Sequence, residues 1–191
     1  MHKHDVVAAA TAILDNYGIA DLTMRRLARE LNVTPGALYW HFANKQQLLG
    51  AVADRILQPA RHDVGVMDWP ERIVTIGSAL RDALLSHTDG AELVSASFAA
   101  GQSDVMRQIL GRLAEAASGA GIEPAEAELA ARTVIYYVLG FTADEQSRLQ
   151  WDAAGSELPA AQTVWADDAG SRFAFGVNLL VEGMAILAHR N

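Results

Sequence analysis

Apolar residues recur at three- and four-residue intervals along nearly the whole chain, the period of helices with one buried face. Val6, Ala10, Ile13, Leu14 and Tyr17 form a first stripe, and Gly18 supplies its stop. Leu22-Thr23 introduces a second, short stripe of Leu27, Ala28 and Leu31, with Thr23 placed to cap it and Asn32-Val33 to break it. Thr34-Pro35 then sets a capping hydroxyl before a proline at the first helical position, which predicts a third short helix over 34–41. Asn44-Lys45-Gln46-Gln47 has the spacing of a capping box, and Leu48, Leu49, Val52 and Ile56 give the buried stripe that follows it.

Further on, Trp69-Pro70 opens a longer amphipathic helix through Ile73, Ile76, Leu80, Ala83 and Leu84, and Asp89-Gly90 marks a turn. Helices are expected over 93–100, 103–117, from 124 to just past 150, over 162–165 and over 168–189, with an exposed loop at 152–160. Strands need alternating polarity, and no such run occurs. The expected fold is all-α.

Three short helices, the last two joined by a tight turn, describe a helix-turn-helix, whose exposed helix offers its N-terminal end to the major groove. The small residues Pro35, Gly36 and Ala37 allow close backbone approach, while Thr34, Tyr39 and His41 can hydrogen-bond to phosphates or bases. Lys45 aims a cation at the DNA backbone, and Thr23 and Arg25 open the preceding helix, where N–H donors and the helix dipole favour a phosphate. Leu38 and Phe42 are assigned to the core, Trp40 to packing against the tripod, and Tyr39 to a phosphate contact. Spacing alone fits equally well a three-helix cap on a larger bundle.

Composition narrows the picture. The 191 residues contain 51% hydrophobic and 20% charged side chains, a folded profile, and no cysteine, which excludes disulfides, thiolate metal sites and cysteine nucleophiles. The longest apolar run, around Val134 to Phe141, is too short to cross a bilayer, and no leader is visible, so a soluble cytoplasmic protein is expected. The net charge of −8 is unevenly spread: residues 1–61 hold seven Lys and Arg against five Asp and Glu, and the remainder eight against eighteen. A weakly basic head on an acidic body lets only one end approach phosphates. His62-Asp63, His87 with Asp89, Asp144-Glu145 and Asp167-Asp168 are read as solvated helix surface, and no metal or cofactor is expected. No phosphate loop, zinc-protease helix, nucleophile elbow or dinucleotide fingerprint is present, so an enzyme is not expected. An enzyme using Asp144 or Glu145 as a base, or an adaptor keeping the head for assembly, are the other classes.

The run from Gly18 through Thr23-Met24-Arg25-Arg26-Leu27-Ala28 resembles the opening of the helix-turn-helix of the TetR family of one-component repressors. So does the run from Val33-Thr34-Pro35-Gly36-Ala37-Leu38-Tyr39-Trp40-His41-Phe42 to Lys45. The resemblance implies DNA contacts at Thr23, Arg25, Thr34, Gly36 and Ala37, and at Tyr39, Trp40, His41 and Lys45. Trp69, the stretch from Ala79 to Leu85, Asp89-Gly90-Ala91 and the stretch from Phe173 to Gly183 resemble the body of the tetracycline repressor class. That implies a DNA-binding domain at 1–46 and a ligand-binding and dimerisation domain at 47–191, paired through helices at about 124–150 and 168–189. Phe175, Leu179, Val181, Met184, Ile186 and Leu187 agree, since they make the last helix apolar over more of its circumference than one core face needs. The implied ligand positions are His62, Ile76, Leu80, Val94, Ser97 and Phe98, with Met106 and Ile109. The amide and metal-binding histidine of the tetracycline repressors are absent there, so an apolar or aromatic inducer is expected and tetracycline is not. The partners implied are a double-stranded palindromic operator, a small-molecule inducer and a second copy of the chain.

Overall fold

The structure, a computed structural model, describes residues 1–61, 65, 67–155 and 168–189. These residues form nine α-helices and no strand. The first four are α1 (Lys3–Tyr17), α2 (Met24–Glu30), α3 (Pro35–Tyr39) and α4 (Lys45–Ile56). The body follows with α5 (Trp69–Leu85), α6 (Gly90–Ala99), α7 (Asp104–Gly119), α8 (Pro124–Ala153) and α9 (Ala169–Ala188). The expected short helix at 162–165 lies outside the described residues.

Local chemistry fixes most helix starts. The Thr23 hydroxyl accepts from Arg26 N–H at 3.1 Å, and Asn44 Oδ1 accepts from Gln47 N–H at 2.9 Å. Gln47 Oε1 reaches back to the N–H of Ala43 at 3.0 Å, a box displaced by one residue. Asp68 and Asp168 cap α5 and α9 through the N–H groups of Glu71 and Ser171, each at 3.0 Å. Thr34 departs from expectation: it occupies the cap position of α3, but its side chain makes no capping bond.

The helices converge on one core. Val6, Ala10, Ile13 and Leu14 of α1 are buried together with Leu22, Leu27, Leu38 and Phe42, which makes the first three helices a rigid tripod. α4 packs on α1 on one side and on α6 and α7 on the other, so it joins head to body. In the body α7 lies along α8, and α5 is wedged between α7, α8 and α9.

Candidate nucleic-acid interface

The turn between α2 and α3 is set by Asn32, which adopts a left-handed conformation (φ 53°) that asparagine tolerates better than most residues. α3 ends at Tyr39, two residues short of expectation, and Trp40 and His41 continue as a turn. Leu38 and Phe42, four residues apart and thus on one face, are fully buried. Trp40 lies two residues from each, on the opposite side, and is 91% exposed. It does not pack against the tripod, contrary to expectation. Periodicity forbids it once Leu38 and Phe42 are both inward.

Thr23, Arg25, Thr34, Gly36 and Tyr39 are also exposed, and Ala37, His41 and Lys45 are half-buried. All nine positions fall on three consecutive starts: the cap and first turn of α2, the whole of α3 with its following turn, and the first residue of α4. Arg26 is withdrawn from this surface, since it pairs with Asp21 and lies 3.8 Å from the centre of the Tyr17 ring. Arg25 makes no ion pair among the described residues. Lys3 Nζ lies 5.0 Å from the centre of the Phe42 ring, adding a cation close to the end of this surface.

Two polar fastenings hold α4 and the head against the rest of the body, and neither is visible in sequence periodicity. In the first, Asp54 of α4 accepts from the Ser103 hydroxyl at 2.7 Å and from Val105 N–H at 3.0 Å, at the start of α7. In the second, the carboxylate of Asp15 faces His87 Nδ1 at 3.0 Å, and Thr88 donates to the Asp15 carbonyl at 2.9 Å. Asp89 accepts the N–H of Ile19 at 2.9 Å through one oxygen and Gln150 Nε2 at 2.6 Å through the other. Asp89 itself takes the left-handed conformation (φ 52°), which turns its carboxylate back toward the head. Gly18 lies against it with φ 79°, where a Cβ would stand 2.7 Å from Asp89 Oδ2. His87 and Asp89 are therefore engaged side chains and not the solvated surface expected of them.

Glu145 also departs from expectation. It takes a bidentate pair from Arg81, Nε to Oε2 at 2.9 Å and Nη2 to Oε1 at 2.6 Å, with only 14% of Arg81 and 13% of Glu145 exposed. The Arg81 guanidinium lies 5.1 Å from the centre of the Phe173 ring, so α5, α8 and α9 meet at this pair. Beside it, Tyr137 donates to the carbonyl of Phe173 at 3.1 Å, and burial pushes its phenol pKa up.

Of the expected ligand positions, Ile76, Leu80, Val94, Met106 and Ile109 are fully buried in the core where α5, α6 and α7 meet. Ser97 is 2% exposed, and its hydroxyl has no hydrogen-bond partner among the described residues. Phe98 is half-buried at the margin, 6.2 Å from the Tyr136 ring. His62, and with it Asp63 and Asp167, lies outside the described residues. A separate groove of about 600 Å³ between α6 and α8 is lined by none of these positions. Among the described residues no group of three or more His, Asp or Glu side chains is arranged to hold a metal ion.

α9 presents two faces. Phe173, Val177, Val181 and Met184 point into the core, whereas Phe175, Leu179 and Ile186 are 71%, 62% and 64% exposed. By length and composition alone α9 would suffice to cross a membrane, with a mean hydropathy of 1.3 over 18 residues of which 22% are buried.

Comparison with known proteins bears on both halves. Residues 6–52 match the family described as bacterial regulatory proteins, tetR family, and residues 63–159 match the tetracyclin repressor-like C-terminal domain. The tetracycline repressor protein class A from transposon 1721 of Escherichia coli is 34% identical, over 97% of this chain and 91% of that protein. The crystal structure of Mycobacterium smegmatis BioQ is 64% identical, with a TM-score of 0.91 over 98% of this chain and 99% of that one. A structure of BioQ with its natural double-stranded DNA operator is 63% identical, with a TM-score of 0.85 over 97% of this chain and 98% of that one.

Proposed function

Because the chain belongs to the tetR family of bacterial regulatory proteins, we propose that it is a homodimeric repressor that grips a palindromic double-stranded operator and lets go when a small apolar or aromatic molecule enters its body. The carrying observation is the exposed turn of Tyr39 and Trp40, held rigidly by the buried Leu38 and Phe42. A large aromatic left in water on so short a helix costs hydration unless something covers it, and a duplex groove fits its surroundings. The 63% identity to a chain crystallised with its operator supports the same reading. Thr23, Arg25, Thr34, Tyr39, His41 and Lys45 supply the polar contacts, Gly36 and Ala37 the close approach, and Trp40 an apolar one.

The open face of α9 supports dimerisation. Phe175, Leu179 and Ile186 recur at four and seven residues, a stripe suited to the same stripe on a second copy. That occupant suits a chain whose relatives are regulators better than a bilayer does. Two heads so joined would reach successive grooves, ~34–36 Å apart. Replacing Leu179 with Arg is expected to yield monomers by light scattering, and the monomer should lose at least ~100-fold in operator affinity, since one head has few contacts on its own. A dimer that survives the arginine moves the interface elsewhere.

The division at 46/47 assigns nearly all of α4 to the body, where Asp54 is fastened. The inducer site falls among Ile76, Leu80, Val94, Phe98, Met106 and Ile109, to which the resemblance adds His62. Ser97, whose hydroxyl lacks a partner among the described residues, is a polar anchor there. An environment so poor in donors disfavours tetracycline and admits a ligand with one acceptor. Moving α6 and α7 to admit it would pull on α4 through Asp54 and shift the two heads together. Such a regulator works in the cytoplasm, beside its DNA, and needs neither metal nor catalysis.

The direct test is titration of the protein with the BioQ operator duplex across a salt series. Steep salt dependence is expected, and binding that ignores salt would exclude a phosphate-gripping head. Lys45→Ala should weaken binding ~10-fold and lower the salt slope by about one, whereas Tyr39→Ala should weaken it with a smaller change in slope. Unchanged affinity in either variant, at unchanged melting temperature, removes that residue from the interface.

A further inference from the structure

The apolar core where α5, α6 and α7 meet is bounded at one end by two arginines. Arg72 stands four residues before Ile76 on α5, and Arg112 three residues after Ile109 on α7, so each shares a face with its isoleucine. The two helices run antiparallel: Arg72 Nη2 reaches Glu115 Oε2 at 3.2 Å, and a Cβ on Gly119 would stand 3.8 Å from Trp69 Cβ. Both arginines therefore close the same end of the core, beside the single turn of Gln58–Arg61 that follows α4.

Their donors are only partly used. Arg72 Nε and Arg112 Nη2 are out of contact with water and have no hydrogen-bond partner among the described residues. Arg112 Nη1 donates to the carbonyls of Ala60 and Arg61, each at 3.3 Å, which fixes the guanidinium and leaves Nη2 unspent. A buried donor without an acceptor costs its full desolvation, and more when it belongs to a charged group. Among the described residues Glu115 is the one carboxylate paired with either arginine, and 68% of it is exposed. Two guanidinium groups against one carboxylate leave a single positive charge at the end of an apolar core. Both nitrogens are enclosed within one copy of the chain, so a second copy packed on α8 and α9 neither covers them nor supplies their acceptor.

We propose that Arg112, with Arg72 beside it, receives a carboxylate, so that the inducer is an apolar monocarboxylic acid whose tail lies among Ile76, Leu80, Met106 and Ile109. This rests on the inducer site proposed above and names the chemistry of its ligand. A carboxylate brings the missing acceptor and one negative charge, and charge-assisted bonds of this kind are about twice as strong as neutral ones. A dianionic phosphate would exceed the single charge and bury more oxygens than the unspent donors satisfy.

The test compares an acid with its own ester, without DNA. Dansylaminoundecanoic acid and its methyl ester are each titrated into the full-length protein at neutral pH and followed by dansyl fluorescence. The acid is expected to saturate and to bind at least ~10-fold tighter than the ester. Arg112→Met should remove that advantage, weakening the acid at least ~10-fold while the ester stays within about 2-fold. Arg112→Gln, which keeps an N–H for the Ala60 carbonyl, gives the same test should the methionine impair folding. Arg72→Met should weaken the acid several-fold and spare the ester. An acid that binds no tighter than its ester, or that ignores both Arg112 variants, overturns the carboxylate and leaves the apolar site standing. Binding of neither probe overturns the apolar site itself, and this assignment with it.

Discussion

Arg81→Met is expected to cost about 3–5 kcal/mol of folding stability, read as a fall in the urea midpoint at constant slope. The reason is asymmetric. Arg81 and Glu145 pay heavily to leave water, and each is tolerated because the other satisfies it through two parallel hydrogen bonds. Removing the guanidinium, which lies over Phe141 and Phe173, leaves the Glu145 carboxylate at 13% exposure without the two donors it has. Removing both charges should cost far less: Arg81→Met combined with Glu145→Leu is expected to recover most of the lost stability, because the site then becomes ordinary apolar contact between α5, α8 and α9. A single variant costing under about 1 kcal/mol would mean that water screens the pair, as it does exposed ones. The proposed dimer should report the same break, since α9 carries the open stripe of Phe175 and Leu179 and meets this pair through Phe173.

The helices themselves were legible in the chain because their signals are local. Thr23 and Asn44 cap where spacing places them, and the apolar stripes identify buried faces correctly at Leu27, Leu38, Phe42 and Ile76. Trp40 shows where residue type misleads: tryptophan is usually mostly buried, but its register on α3 is fixed by Leu38 and Phe42, and register wins. Register alone, read from those two residues, was enough to find it. Glu145, His87 and Asp89 show a different limit. Each looks like solvated surface because charge and helical position say so, and each is claimed by a partner about sixty to seventy positions away, which no local pattern encodes. Asp89 carried one usable hint, an Asp-Gly turn at the start of a helix, where a left-handed aspartate is at home. The Asp54 fastening carried none. The family resemblance named head positions that the structure gathers on the adjoining starts of α2, α3 and α4, because its motif is contiguous. Its expected ligand positions, where described, are buried or half-buried residues of the body, and the α6–α8 groove lies outside that set.

Gly50→Ala should displace the head more than any change on its DNA surface. Gly50 sits within α4, where alanine would ordinarily gain up to about 1 kcal/mol. Here a Cβ would stand 2.2 Å from the Gln102 carbonyl oxygen and 2.9 Å from its carbonyl carbon. Those are backbone atoms after α6, held by the Gln102 N–H bond to Ser97, and cannot swing aside as a side-chain tip does. Carbon and oxygen need about 3.3 Å, so α4 must retreat by roughly 1 Å. Overpacking of this kind costs about 1–3 kcal/mol, outweighing the helical gain. The functional effect is larger than the thermal one, because α1 rides on α4 and the Asp54 bonds to Ser103 and Val105 stretch with it. Operator affinity measured well below the melting temperature is expected to fall at least ~10-fold, about 1.4 kcal/mol, with helical content unchanged. Gly111→Ala is the matched control: it lies within α7 with no atom within 4 Å of its added carbon, and should leave binding unchanged while raising stability slightly. If Gly50→Ala binds the duplex as tightly as the unaltered chain, the close approach of α4 to the end of α6 does not set where the heads stand.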